Sequence, residues 1–224
     1  MRRLRNVWRT LKGLYYLVRL ALAPKSSILP LLKLGNLISE SKAFAVAAER
    51  SLQDETVAAR VAERFGPGIP TVEELLTFPE SSFGHTLGAF MQQNELQPYP
   101  FPIQPGYSPE VYLRERRREI HDILHVVLGY DTALEGEAQL NAFLSGQSAY
   151  PIPVIISAGV LLLSVRNQPT QVDYIYDRIM RAYLRGQESP AVLGIRWEDH
   201  WATPIGELRK SLGLHPQQAM LQEA

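Results

Sequence analysis

The chain has 224 residues, 46% of them hydrophobic and 21% charged, and no cysteine. This excludes extended disorder, a disulfide framework and thiolate metal sites, and leaves His, Asp and Glu as the metal ligands available. Its 23 basic and 23 acidic residues cancel, but Arg2, Arg3, Arg5, Arg9, Lys12, Arg19, Lys25 and Lys33 all precede the first acid, Glu40, so a basic amino end on an acidic remainder points to an anionic partner surface.

Residues 4–22 place Leu4, Val7, Trp8, Leu11, Leu14, Tyr15, Val18 and Leu22 on one helical face, with Arg5, Arg9, Lys12 and Arg19 opposite. This is the pattern of an amphipathic basic helix, lying in a membrane interface or docked on the protein's own core. A cleaved transit peptide fits less well, because no serine occurs before Ser26. No charge-free apolar run of about 18 residues is present, so no transmembrane helix is expected. Pro24 and Pro30 close this segment, and a helix is predicted over residues 31–49 through Leu31, Leu34, Leu37, Ile38 and Phe44.

The next helix is predicted from Ser51 or Asp54 to Phe65, stopped by Gly66-Pro67-Gly68. Thr71 and Glu74 form a capping box for a short helix ending near Phe78-Pro79. Residues 81–93 are predicted helical with Leu87, Phe90 and Met91 buried, and His85 in it is read as a structural or surface histidine. The prolines at 98, 100, 102 and 105 keep residues 94–108 mostly extended.

Ser108 as N-cap and Pro109 at the first position start a central helix predicted to run to Leu128 and stop at Gly129. A second helix, antiparallel to it, is predicted from Leu134 to Phe143. Residues 151–167 are apolar on all faces, which means a buried or membrane-apposed helix. Further helices are predicted over Val172–Leu184, ended by Arg185-Gly186, and over Pro204–Leu212. Strand-like alternation is scarce, so the expected fold is all-α: a single-domain helical bundle over residues 25–214, with residues 1–24 as a separate amphipathic segment and 215–224 as a flexible tail.

The chemistry concentrates in residues 119–140. His121 and His125 are four apart and share a helix face, Asp122 adjoins the first, and Glu137 follows in the next helix. His125 precedes Val126, Val127 and Leu128, so the polar face lies near the core and needs a partner there; a divalent metal would provide one. A zinc peptidase would carry Glu at position 122, and a di-iron bundle would carry two Glu-x-x-His motifs; neither is present. A His-Asp phosphohydrolase would leave His125 and Glu137 unexplained. What remains is a mononuclear site on His121, Asp122, His125 and Glu137, with zinc favoured by ligand type and Fe, Mn or Mg also suited to imidazole and carboxylate. Arg116, Arg117 and Arg118, one turn earlier, are read mainly as a solvated charge run, at least two of them in water, with a capacity to attract an anionic head group.

His-Asp-x-x-His followed after eleven residues by Glu is similar to the signature of the ubiquinone (coenzyme Q) biosynthesis protein 4 family. Phe83-Gly84-His85-Thr86-Leu87-Gly88, Leu134-Glu135-Gly136-Glu137, Tyr183-Leu184-Arg185-Gly186 and Trp197-Glu198 through Pro204 to Arg209 resemble further family segments. The resemblance implies an all-helical protein peripheral to a membrane that holds a polyprenyl lipid or prenylated quinone precursor beside the metal. It implies decarboxylation of a polyprenylated hydroxybenzoate, with hydroxylation at the same ring carbon, for which His121, Asp122, His125 and Glu137 would be catalytic through the metal. It also implies contact with other quinone-making proteins. The apolar stretch 152–163 would line the tail site, a homodimer is expected, and no nucleic-acid partner is. The expected location is a membrane surface, on the cytoplasmic side in a bacterium or the matrix side of the mitochondrial inner membrane in a eukaryote. The alternative reading is a non-catalytic prenyl-lipid-binding scaffold.

Overall fold

The structure, a computed structural model, describes residues 42–100, 103–148 and 150–216, together with Lys12, Tyr15 and Tyr16. Apart from those three residues, the expected amphipathic helix over residues 4–22, the first part of the helix predicted at 31–49, and the tail from residue 217 lie outside the described residues. Every regular element described is helical, and the only β-type pairing among these residues is one isolated bridge between Ser82 and Pro204. The all-α expectation is met. The contacts fall into two compact units, one within residues 48–132 and 188–224, the other within residues 1–47 and 133–187.

Helix α1 (Lys42–Ser51) crosses the division at residues 47 and 48, and α2 (Glu55–Glu63) lies in the first unit. Asp54 caps α2 by accepting from the backbone N–H groups of Thr56 and Val57 at 2.9 and 3.1 Å. The helix stops before the predicted Gly-Pro-Gly signal, because Arg64 itself takes the left-handed conformation at φ 53°. Thr71 and Glu74 make the predicted capping box: Glu74 N–H donates to Thr71 Oγ1 at 3.2 Å, and Thr71 N–H to the Glu74 carboxylate at 2.9 Å. It starts the short α3 (Val72–Leu75), and Ser82 then caps α4 (Phe83–Gln93). Leu87 and Met91 are fully buried on α4, whereas Phe90 is only half-buried.

Ser108 and Pro109 open the central helix as predicted, but it is not continuous. Helix α5 (Pro109–Glu119) and helix α6 (His121–Leu128) meet at Ile120, whose φ of −88° and ψ of 4° leave the helical region. The break keeps the local ladder, since Ile120 N–H still donates to Arg116 O and Leu124 N–H to Ile120 O, each at 3.0 Å. Gly129 ends α6 with φ 75°, the left-handed stop that glycine permits. The 3₁₀ turns Val192–Gly194 and Trp197–His200 lead to α10 (Ile205–Ser211). Their segment closes the unit: Phe83 and Gly84, at the open start of α4, donate to the carbonyls of Thr203 and Trp201, both at 2.8 Å. Phe83 stacks on Trp201 with ring centroids 5.0 Å apart, and Trp197 beside it is fully buried.

The second unit contains α7 (Leu134–Ser148), α8 (Pro151–Asn167) and α9 (Val172–Glu188). Helix α7 runs five residues past the predicted end at Phe143. Helix α9 likewise passes through Arg185-Gly186, which was expected to stop it. The glycine serves packing: a Cβ at Gly186 would overlap the carbonyl oxygen of Phe143, so its absence lets α9 lie against α7. Gln147 Nε2 then donates to Gly186 O at 2.7 Å. Helix α8 packs on α7, with Ser157 Oγ donating to Ala138 O at 3.2 Å. It is not buried all round, because Val154, Leu162 and Val165 are about half exposed. No helix among the described residues is long and apolar enough to cross a membrane.

Candidate metal centre

Helix α6 displays His121 and His125 one turn apart. Their Nε2 atoms lie 3.3 Å from each other and the ring planes stand at 86°. His125 is buried, and its Nδ1 faces the carbonyl oxygen of Tyr130 at 3.1 Å. A carbonyl only accepts, so Nδ1 carries the proton and the neutral ring is left with a lone pair on Nε2, aimed at His121. Phe90 of α4 stacks on the His125 ring, centroids 5.9 Å apart and planes within 22°, and shields that face.

Glu137 lies in the first turn of α7. Among the described residues, His121, His125 and Glu137 are the sole group of three or more side chains that could hold a metal ion. The donor set suits a divalent ion. Two imidazole nitrogens bound to tetrahedral zinc at about 2.0–2.1 Å would stand about 3.3 Å apart, the separation found here. Asp122, half-buried at the start of α6, is not in the group, and neighbouring helix positions point about 100° apart. His85 is outside it as well.

The arginines before the site correct the charge-run reading. Arg116 and Arg117 are buried, and only Arg118 has a substantially exposed side chain, at 44%. Arg116 is fully enclosed; it donates to Glu119 at 2.7 Å, to both oxygens of Glu198, and to Ile195 O at 3.1 Å. Burial works against its charge, but the two carboxylates outweigh that and raise its pKa. For Glu119 burial dominates and pushes the carboxyl above its usual range, against the pull of Arg116. This cluster ties the last turn of α5, just before the break at Ile120, to the segment after Ile195. The Arg116–Glu119 pairing is legible as an i, i+3 spacing; Glu198 and Phe90 are joined only by tertiary structure, and the Tyr130 carbonyl by the turn at Gly129.

Fold and site together define an all-helical protein carrying an imidazole–carboxylate group suited to a divalent metal. The model of the family described as Coenzyme Q (ubiquinone) biosynthesis protein Coq4 matches residues 46–218, and the chain belongs to this family. It is 32% identical over 154 residues to the mitochondrial ubiquinone biosynthesis protein COQ4 homolog 2 of Paramecium tetraurelia, covering 67% of this chain and 72% of that one. It is 29% identical over 148 residues to the mitochondrial COQ4 homolog of Rattus norvegicus, covering 65% of this chain and 55% of that one. The match thus spans little more than half of the rat relative. A crystal structure of a Nostoc punctiforme protein provisionally named for ubiquinone biosynthesis superposes with a TM-score of 0.77 at 26% identity, over 92% of this chain and 98% of that one.

Proposed function

We propose that the protein acts in ubiquinone-type quinone synthesis on a polyprenylated hydroxybenzoate, whose ring carboxylate leaves as carbon dioxide while dioxygen, taken from solution as the oxidant, supplies the hydroxyl at the same carbon, at a divalent metal held by His121, Asp122, His125 and Glu137. The observation that carries this reading is the convergence of the two imidazole Nε2 atoms of α6 at 3.3 Å, with Glu137 as the carboxylate that would join them. Family membership supports the pathway; Asp122 lies outside the group of three and would join it as a further ligand from the adjoining side of α6.

Each residue has a physical part. The Tyr130 carbonyl fixes the His125 tautomer so that the lone pair lies on Nε2. Phe90 keeps water from one face of that ring. Two neutral imidazoles with anionic carboxylates leave a divalent ion little net charge, and zinc suits them on ligand type, with Fe, Mn and Mg also accommodated. When bound, the metal would supply Lewis acidity toward the carboxylate or ring oxygen of the head group. The apolar residues 152–163 of α8 would line the prenyl tail. The site would work at a membrane surface, in contact with other quinone-making proteins, and relatives named as mitochondrial support that compartment for a eukaryotic source. Tyr176, Met180 and Leu184, exposed and four apart along α9, offer a face for a second copy of the chain.

The experiment supplies purified protein with metal, dioxygen and a prenylated hydroxybenzoate labelled at the carboxylate, and follows release of labelled carbon dioxide. Release that fails in His121→Ala supports the reading. No release, with a prenyl lipid extracted from the purified protein, marks instead a non-catalytic lipid-binding scaffold.

A further inference from the structure

Helix α6 ends in carbonyls that its own ladder cannot satisfy. Two of them, those of Val126 and Val127, are taken by one side chain: Arg209 donates to them from Nη2 at 2.7 Å and from Nε at 3.0 Å. They lie immediately after His125, in the turn that also brings the Tyr130 carbonyl to the His125 ring. Arg209 is itself anchored at its base. Its neighbour Leu208 is fully buried, and Ile205 N–H donates to Ser81 O at 3.0 Å, beside the two hydrogen bonds that fasten residues 201–203 to the start of α4. Helix α4 carries Phe90, which packs on His125.

We infer that Arg209 is a positioning residue for the metal group: its fork fixes the last turn of α6, and through it the direction in which His125 and His121 present their Nε2 atoms. The planar guanidinium fits two adjacent carbonyls at once, which a lysine ammonium cannot reproduce, and its charge offsets the negative end of the helix. The inference rests on the reading of His121, His125 and Glu137 as a metal site.

The test uses the full chain with Zn²⁺ alone, its affinity measured by chelator competition, Co²⁺ visible absorption as a reporter of ligand geometry, and amide hydrogen exchange of the metal-free protein. Arg209→Gln lowers Zn²⁺ affinity by at least about 10-fold, the scale of groups that orient metal ligands. It alters the Co²⁺ spectrum and speeds exchange in α6 but not in α2. Arg209→Lys recovers part of the affinity. Val61→Ala, a core change on α2, lowers stability and leaves Zn²⁺ affinity as in the wild type. Wild-type affinity and wild-type α6 exchange in Arg209→Gln overturn the inference. Should that variant not fold, wild-type Zn²⁺ affinity in Arg209→Lys overturns it. If the wild type takes up no Zn²⁺, the metal reading fails by itself, and Arg209 is judged by exchange alone, unchanged rates in α6 overturning its role.

Discussion

His125 turns its Nδ1 toward the carbonyl oxygen of Tyr130 at 3.1 Å, and the chain returns to make that contact only because Gly129 adopts φ 75°. The turn that ends the helix therefore also sets the tautomer of a candidate metal ligand.

Gly129→Ala tests the coupling. An L residue in the left-handed region costs about 1–2 kcal/mol, so urea unfolding of the metal-free protein shows a loss of that size. Zn²⁺ affinity falls with it, since relaxing the turn withdraws the Tyr130 carbonyl. Lost stability with unchanged affinity would separate the turn from the site.

Arg116→Met leaves the buried carboxylates of Glu119 and Glu198, with side chains only 2% and 5% exposed, facing each other without a cation. Breaking a buried pair in this way costs about 3–5 kcal/mol. Denaturant midpoints of the wild type and the variant measure it, and a loss under about 1 kcal/mol, the scale of a surface pair, would show that the cluster is solvated.

Gly186→Ala pushes a methyl group into the Phe143 carbonyl and forces α9 away from α7. A loss of about 1–3 kcal/mol is expected, as for overpacking in a close-packed interior. Thermal unfolding measures it, and a stability equal to wild type would refute the close approach.

Tyr112 is buried and donates its hydroxyl to Phe65 O at 2.7 Å; burial pushes its pKa from 10.0 up to about 12. The folded state holds that proton longer than the unfolded state. The resulting stability is present below pH 10 and is lost as pH rises to about 12. Between these values the wild type should lose stability more steeply than Tyr112→Phe, measured by urea unfolding across the range. Parallel curves would contradict the shift.

Much of this was legible in the chain, for local reasons. The Thr71–Glu74 box, Ser108-Pro109 and Gly129 act within a few residues and read directly. The break at Ile120 was not legible, because Arg116-Arg117-Arg118-Glu119 continues a good helical sequence. What distinguishes it is the burial of Arg116 against Glu198, 82 residues away. Arg185-Gly186 reads as a stop by composition; contact with Phe143 makes it a packing position instead. At the site, His121, His125 and Glu137 follow from spacing, whereas Tyr130 enters through its backbone and Arg209 through a distant helix, and neither has a sequence signature.

The central claim is that His121, His125 and Glu137 hold a divalent metal. Metal analysis of purified, desalted protein, run beside His121→Ala, His125→Ala and Glu137→Gln, tests it most directly. Stoichiometric metal in the wild type, with marked loss in each variant while circular dichroism stays helical, is the predicted result. A wild type that binds no divalent ion, or variants that keep it in full, would contradict the claim.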